Sequence, residues 1–200
     1  FFKTAYLSDI CPELIYFWDK VTSGWNPPEK MSRDEWLRLK NSSDISDFPL
    51  KAWAAFAASY NGKYFAGYGP VSPGRDYLAE SLRATIRKAE SFKKHKGIQF
   101  LIGDFSIHTP LITKDSVVYA DIEYRNTLSY KGSKGKFDHD RFWSEADLWV
   151  SKGAAVFVHE YSAPLGWTCI LETKRTETMN HSGPSSGSRI EKLFFKSGAR

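Results

Sequence analysis

Three short apolar segments that each end in an acidic residue constrain this chain most. They are AYLSDI at 5–10, IQFLIGDF at 98–105 and VVYADIEY at 117–124, and a fourth segment, AAVFVHEYS, ends in the same way with Glu160. Segments with helical spacing separate them, namely CPELIYFWDKV, YLAESLRATIRKAESFKKHKG and FDHDRFWSEADLWVSKG. Short buried strands that alternate with helices predict an α/β fold in which helices flank the sheet.

The remaining sequence adds helices early and strands late. MSRDEWLRLKNSS predicts a short helix opened by Ser32 with Glu35 three residues on, a capping box. The alanine-rich segment 49–60 predicts a buried helix, and WTCILETKR and RIEKLFFK predict two late strands. Two hundred residues with 42% hydrophobic content favour one domain over 1–200, with room for a small inserted subdomain.

The four acids that end the predicted strands are candidate site residues. In open α/β sheets, ligands bind beyond the carboxyl ends of the strands. Any one acid at a strand end is more simply explained as a helix cap or a solvated turn. Asp9, Asp104, Asp121 and Glu160 together predict one site.

Composition narrows the class of protein. The sequence has no run of about 18 apolar residues, so a membrane span is not expected. Cys11 and Cys169 are too few for a disulfide framework and form no zinc signature, which favours reduced cysteines in the cytoplasm and no metal. The formal charge of +5 and the pI near 9.1 favour a polyanionic partner.

Several motifs together resemble one family over nearly the whole chain. They are LSDICPELI, SYNGKYFAGYG, GDF, VVYADIEYRNTLSY, FDHDRFW and AAVFVHEYSAP. The chain resembles the DNA N6-adenine methyltransferases of the DNA adenine methylase type, and its phage members in particular. The resemblance implies a Rossmann-like methyltransferase sheet with 22–78 as the target-recognition region, S-adenosyl-L-methionine as cofactor, double-stranded DNA as partner, and a place in DNA adenine methylation or restriction-modification.

The resemblance also implies residue roles. Asp9 and Ile10 match the strand that binds the cofactor's ribose, and Asp104 and Phe105 match the pair that approaches its adenine. Asn61 and Lys63 match the stretch beside the DNA target. The segment Asp121, Ile122, Glu123 and Tyr124 occupies the position of the catalytic Asp-Pro-Pro-Tyr, with Asp121 close to the cofactor as well. Such a motif holds the amine of a flipped adenine with an acidic acceptor and stacks an aromatic ring on the base.

Two departures from the family pattern concern rigidity and the cofactor pocket. Glu123 stands where the family has a proline that stiffens the turn, and it adds a charge beside Asp121. The family's F-x-G-x-G loop lies before the ribose strand, and the printed sequence contains no such segment. Two alternatives stay open: a longer protein supplies the loop, or the cofactor pocket is open on one side.

Other candidate sites have simpler explanations. Lys131, Lys134 and Lys136 in YKGSKGKF fit a loop that grips DNA phosphate or a solvated basic loop. His159 and Glu160 are a candidate catalytic pair, in which the carboxylate would support the imidazole as a general base. Asp138-His139-Asp140 is a candidate metal site, although the start of an amphipathic helix is the better interpretation.

Three functions therefore remain as hypotheses. The first is a DNA adenine-N6 methyltransferase. The second is a catalytically degenerate relative that binds DNA or a nucleotide, which Glu123 and the absent glycine segment favour. The third is an altered reaction on the cofactor or a nucleotide, which only Glu123 favours.

Overall fold

The computed structural model describes residues 2–95, 97–125, 136–176 and 188–198. These residues form two compact units, one within 2–104 and the other within 105–198. No helix among the described residues is both long and apolar enough to cross a membrane.

The first unit combines a small parallel sheet with a helical layer. In chain order its elements are β1 (Ala5–Asp9), α1 (Pro12–Thr22), α2 (Arg33–Asn41), α3 (Phe48–Ala52), β2 (Val71–Ser72), β3 (Arg75–Asp76), α4 (Tyr77–Lys93) and β4 (Ile98–Ile102). A π-helical turn, Trp53–Ala57, continues α3. β1 pairs in parallel with β4, so that Asp9 lies opposite Ile102, and β2 pairs with β3 as a short antiparallel ladder.

An aromatic core holds the helices of the first unit together. α1 begins at Pro12, a position where the missing N–H of proline costs no hydrogen bond. It buries Phe17, whose ring stacks on Trp53 with centroids 6.0 Å apart. The predicted cap of α2 is confirmed, because the Ser32 hydroxyl accepts the N–H of Glu35 at 3.1 Å.

The described residues of the second unit form a four-stranded sheet and a 13-residue helix. Its elements are a 3₁₀ helix (Phe105–Leu111), β5 (Val117–Asp121), α5 (His139–Ser151), β6 (Ala155–Glu160), β7 (Thr168–Thr176) and β8 (Ser188–Ser197). The strand order is β5-β6-β8-β7, in which β5 and β6 are parallel while β8 is antiparallel to both β6 and β7. Fully buried Phe142 of α5 clusters with Val156 and Val158 of β6.

The mixed α/β class predicted from the sequence is confirmed. The single Rossmann-like sheet stays a prediction, because the described strands form three separate sheets. One domain over 1–200 with an inserted region at 22–78 also stays a prediction.

The expectation that the acid-ending strands are all buried is wrong for β1, β4 and β5. Tyr6 of β1 is 38% exposed, Ile102 of β4 is 49% exposed, and Tyr119 of β5 is 64% exposed. Among the described strands each of these three lies at the edge of its sheet. An edge strand lacks a neighbour on one side, so its apolar side chains keep contact with solvent.

Candidate functional site

The segment Asp121–Tyr124 leaves the sheet at the carboxyl end of β5. Asp121 ends the strand in register with His159 of β6, and its side chain is exposed. Val118 and Ala120 pack on the core beneath α5, so Asp121 lies on the opposite face of the sheet. Ile122 returns to the core, and the Tyr124 ring contacts the Tyr161 ring edge-on with centroids 4.8 Å apart. The segment therefore presents a solvated carboxylate beside a half-buried aromatic ring.

A buried carboxylate fixes the residue that follows this segment. Glu160 ends β6 and is fully buried. Its two oxygens accept the backbone N–H of Arg125 at 3.2 and 3.0 Å, and one of them accepts the N–H of Tyr161 at 2.7 Å. Bonds from backbone N–H groups to an ionised carboxylate are strong, and they offset the desolvation of the buried charge. We call Glu160 with the N–H groups of Arg125 and Tyr161 the Glu160 clamp.

The first turn of α5 adjoins the clamp. The Nδ1 atom of buried His139 lies 3.6 Å from Glu160 Oε2 and has no hydrogen-bond partner among the described residues. Burial lowers the pKa of His139, and the charge of Glu160 opposes that effect only in part. The guanidinium of Arg125 also pairs with Asp140 at 2.9 Å at an exposed position.

The phenols around the segment are held neutral. Burial raises the pKa of Tyr124, and the negative charge of Asp121 raises it further. Burial and Asp121 raise the pKa of Tyr119 in the same direction. Tyr124 therefore acts as a neutral ring and not as a base at ordinary pH.

The first unit brings the other predicted acids to one edge of its parallel sheet. Asp9 ends β1, and its carbonyl accepts the N–H of Gly103, the residue before Asp104. The Asp9 carboxylate accepts the N–H of Cys11 at 2.7 Å, which fixes the turn into α1. Burial raises the pKa of Asp9, and its hydrogen bonds with the Cys11 and Ile10 backbone oppose that shift. The Ile10 side chain beside it is 51% exposed.

A polar cluster beneath Asp9 was missed in the sequence. Buried Glu13 accepts hydrogen bonds from Cys11 Sγ at 3.3 Å and the Tyr64 hydroxyl at 3.3 Å, and it pairs with Lys51 at 3.4 Å. Burial, followed by nearby negative charge, raises the pKa of Cys11 to about 12. Glu13 thus joins the turn after β1 to α3 and to the loop at 59–69. Sequence spacing gives no signal for this, because Tyr64 lies 51 positions away from Glu13.

The loop at 59–69 presents a polar tip on a buried base. Phe65 is buried and donates its N–H to Ala55 O at 3.1 Å. Asn61 and Lys63 are exposed at the tip beside Tyr60, which is 51% exposed. Asn61 has a left-handed backbone with φ of +57°, a conformation that asparagine tolerates better than most residues.

The predicted site residues fall in both units. Asp9, Ile10, Asn61, Lys63 and Asp104 belong to the first. The second holds Phe105, Asp121, Ile122, Glu123, Tyr124 and Lys136. Lys136 is exposed just before α5, whereas Lys131 and Lys134 lie outside the described residues.

Phe105 has a packing role within the second unit. Its ring meets Phe142 edge-on with centroids 5.2 Å apart, and the Arg141 guanidinium lies 4.7 Å from its centroid. Its predicted approach to a cofactor adenine stays a prediction.

Two minor candidates are resolved. His159 and Glu160 are not an acid–imidazole pair, because neighbouring residues of a strand point to opposite faces. The His159 ring contacts Tyr119 instead, and Glu160 faces His139.

Asp138 caps α5 by accepting the N–H of Arg141 at 3.0 Å, which confirms the helix-start interpretation. Within the described ranges, no three His, Cys, Asp or Glu side chains are grouped to hold a metal ion.

Comparisons with known proteins leave the family open. No protein-family profile matches the chain, and no curated protein matches it. Among solved structures it is similar to "Putative methyltransferase yhhF from Escherichia coli", with 13% identity and a TM-score of 0.29. The match covers 59% of this chain and 58% of that one, less than two thirds of its length.

Proposed function

We propose that the chain is an S-adenosylmethionine-dependent DNA adenine-N6 methyltransferase. The observation that carries the proposal is the segment Asp121–Tyr124, in which an exposed carboxylate and a half-buried ring stand at the carboxyl edge of the parallel β5–β6 pair. Ligands of α/β sheets bind beyond such edges.

The chemistry of N6 methylation asks for this pair of side chains. The lone pair of the adenine amine is delocalised into the ring, which makes the amine a poor nucleophile. Asp121 accepts a hydrogen bond from the amine, localises the lone pair, and lies where the amine proton departs after the N–C bond has formed. Tyr124 stacks on the base once it has been flipped out of the duplex. Its raised pKa suits stacking, because the ring stays neutral.

In this proposal the edge of the first sheet offers the cofactor a hydrogen-bond acceptor and an apolar face. The half-buried carboxyl of Asp9 suits two vicinal ribose hydroxyls, and exposed Ile10 offers an apolar face for a purine. Asp104 follows the neighbouring strand at the same edge. Phe105 enters the proposal only through its place in the sequence, directly after Asp104. When bound, S-adenosylmethionine would supply the electrophilic methyl group, whose bond to sulfur breaks as the N–C bond forms, so that S-adenosylhomocysteine is the leaving group.

Double-stranded DNA is the proposed partner. Lys63 and Asn61 stand at an exposed loop tip beside the ring of Tyr60, and Lys136 is exposed. Lysine neutralises phosphate and releases counterions, which supplies sequence-independent affinity. Lys131 and Lys134, which lie outside the described residues, are proposed as further phosphate contacts because the sequence YKGSKGKF is basic.

A catalytically degenerate DNA- or nucleotide-binding protein is the second candidate. Glu123 favours it, because a half-buried acid replaces the proline and adds negative charge beside Asp121. Under this proposal the chain binds cofactor or DNA without turnover.

Transfer of a labelled methyl group to unmethylated adenine-containing duplex DNA separates the two candidates. The chain, its Glu123→Pro variant and its Asp121→Asn variant are compared, with Asp115→Asn as an unrelated acidic control in the same unit. We expect transfer by the chain and a loss of at least about a hundredfold in Asp121→Asn, the usual scale for an acid–base group.

The pattern of activities decides the assignment. Transfer by Glu123→Pro alone would favour the degenerate candidate and would make Glu123 the residue that silences the chemistry. Equal transfer by the chain and by Asp121→Asn would overturn the catalytic role of Asp121. No transfer by either the chain or Glu123→Pro would overturn the methyltransferase proposal.

A further inference from the structure

We propose that Glu160 is the positioning residue of the Asp121–Tyr124 segment, holding it in place through the backbone of Arg125. The inference rests on the proposed function for its consequence in methyl transfer. It assigns to a residue outside the motif the rigidity that a proline pair would otherwise supply.

Both ends of the segment are fixed by β6. At the start, Asp121 lies in the parallel ladder opposite His159. At the end, both Glu160 oxygens accept the Arg125 N–H at 3.0–3.2 Å. Only Ile122, Glu123 and Tyr124 lie between these points, so the path of the chain has little freedom.

The interior of the segment is held as well. The Ile122 side chain packs on the core beneath α5, and the Tyr124 ring rests against Tyr161. Tyr161 is itself tied to Glu160 by its own N–H at 2.7 Å. The clamp therefore fixes the stacking ring and the end of the loop from one carboxylate.

Burying a carboxylate completely lowers the stability of the fold unless its oxygens accept hydrogen bonds. The burial of Glu160 therefore needs an explanation. The lone pairs of Glu160 meet backbone N–H groups, which are rigid donors. Among the described residues, Glu160 has an ion-pair contact with His139 at 3.6 Å, and the Nδ1 atom that faces it has no hydrogen-bond partner there. The carboxylate is thus directed at the main chain of the loop and not primarily at an ion-pair partner.

The position of the carboxylate also accounts for the absence of proline. Proline fixes φ without any partner, whereas Ile122 and Glu123 have the conformational freedom of ordinary residues. A loop without proline needs tertiary contacts to keep a catalytic acid within about 0.5 Å of its productive place. The clamp is such a contact, and it reaches across 35 positions of sequence.

The test uses Glu160→Gln, which keeps the volume and replaces one acceptor oxygen by a donor facing backbone N–H groups. The control is Glu172→Gln, an exposed carboxylate of β7 in the same sheet that pairs with Lys192. Two readouts are made on each protein: single-turnover methyl transfer with saturating cofactor and DNA, and hydrogen exchange of the Arg125 and Tyr161 amides. Glu160→Asp serves as a second variant, which retains the charge but shortens the reach, if Glu160→Gln does not fold.

We expect Glu160→Gln to lose about a hundredfold in the transfer rate, since a small misplacement of a catalytic group costs that much. Both amides should exchange faster. Glu172→Gln should match the parent in every readout. Introducing Glu123→Pro into Glu160→Gln should restore part of the rate, because proline supplies rigidity by another route.

The two readouts keep the two proposals apart. Unchanged exchange at Arg125 in Glu160→Gln would overturn the clamp, whatever the enzyme does. Unchanged transfer despite faster exchange would overturn the positioning role. If the parent chain transfers no methyl group but exchange at Arg125 quickens in the variant, the clamp stands and the methyltransferase proposal falls.

Discussion

At the scale of single residues, Asp9 shows a conflict between stability and binding. Its carboxylate is half-buried, and burial raises its pKa, so the fold opposes the ionised form. The same ionised form is the better acceptor for two ribose hydroxyls. Residues that cost stability where they stand are common in functional sites.

Asp9→Asn tests this conflict. Asparagine keeps a side-chain oxygen for the Cys11 N–H and removes the buried charge. For an acid with a raised folded pKa, stability is greatest below the unfolded pKa and falls as pH rises toward the folded pKa. Asp9→Asn should therefore unfold at an equal or higher urea concentration at neutral pH, while cofactor affinity measured by calorimetry falls. Asp19→Asn, on the exposed face of α1, should change neither quantity. Lower stability together with full cofactor affinity would contradict the argument.

At the scale of elements, backbone hydrogen bonds hold the loop at 59–69 so that Asn61 and Lys63 are exposed to solvent at its tip. Three backbone bonds pin it: Tyr60 N to Gly67 O at 2.8 Å, Phe65 N to Ala55 O at 3.1 Å and Gly69 N to Ala58 O at 3.1 Å. Asn61 and Phe65 both have positive φ, at +57° and +43°. Such strain persists where surrounding contacts over-determine the conformation, and it is frequent at ligand-binding sites.

Lys63→Gln tests whether the tip faces DNA. Removing one phosphate contact should weaken binding to any duplex and reduce the slope of log K against log salt by about one. The measurement is fluorescence anisotropy of labelled duplexes at several salt concentrations. Lys174→Gln, on exposed β7, is the matched loss of one charge and should leave the slope unchanged. Equal slopes for Lys63→Gln and the parent would show that Lys63 does not contact DNA phosphate.

The sequence predicted the elements better than their contacts. Strands such as AYLSD and helices such as α1 follow from local periodicity, which sequence displays directly. The 3₁₀ helix Phe105–Leu111, which contains Pro110, has no such pattern. The Glu160 clamp and the Glu13 cluster join residues 35 and 51 positions apart, so local sequence patterns do not predict them. Asp121 could be placed at a strand end from the sequence, but the contacts that hold it there could not.

At the scale of the whole molecule, charge and buried histidine set the response to acid. The chain has a formal charge of +5 at pH 7, and acidification adds positive charge to it. Burial lowers the pKa of both His139 and His108. Around His139, the charges of Glu160, Asp140 and Glu123 favour protonation, and Arg125 opposes it.

Stability should therefore fall as pH drops from neutrality. A histidine with a lowered folded pKa stays neutral in the fold while the unfolded chain binds a proton, so its contribution is complete above 6.5 and is lost as pH falls toward the folded pKa. His139→Gln should reduce the slope of unfolding free energy against pH. The reduction should correspond to up to about one fewer proton taken up on unfolding, and adding His108→Gln should reduce the slope again. Urea unfolding between neutral and mildly acidic pH measures the slope. His95→Gln, at an exposed position, should keep the parent slope, and a parent slope in His139→Gln would show that Glu160 already compensates the imidazolium charge.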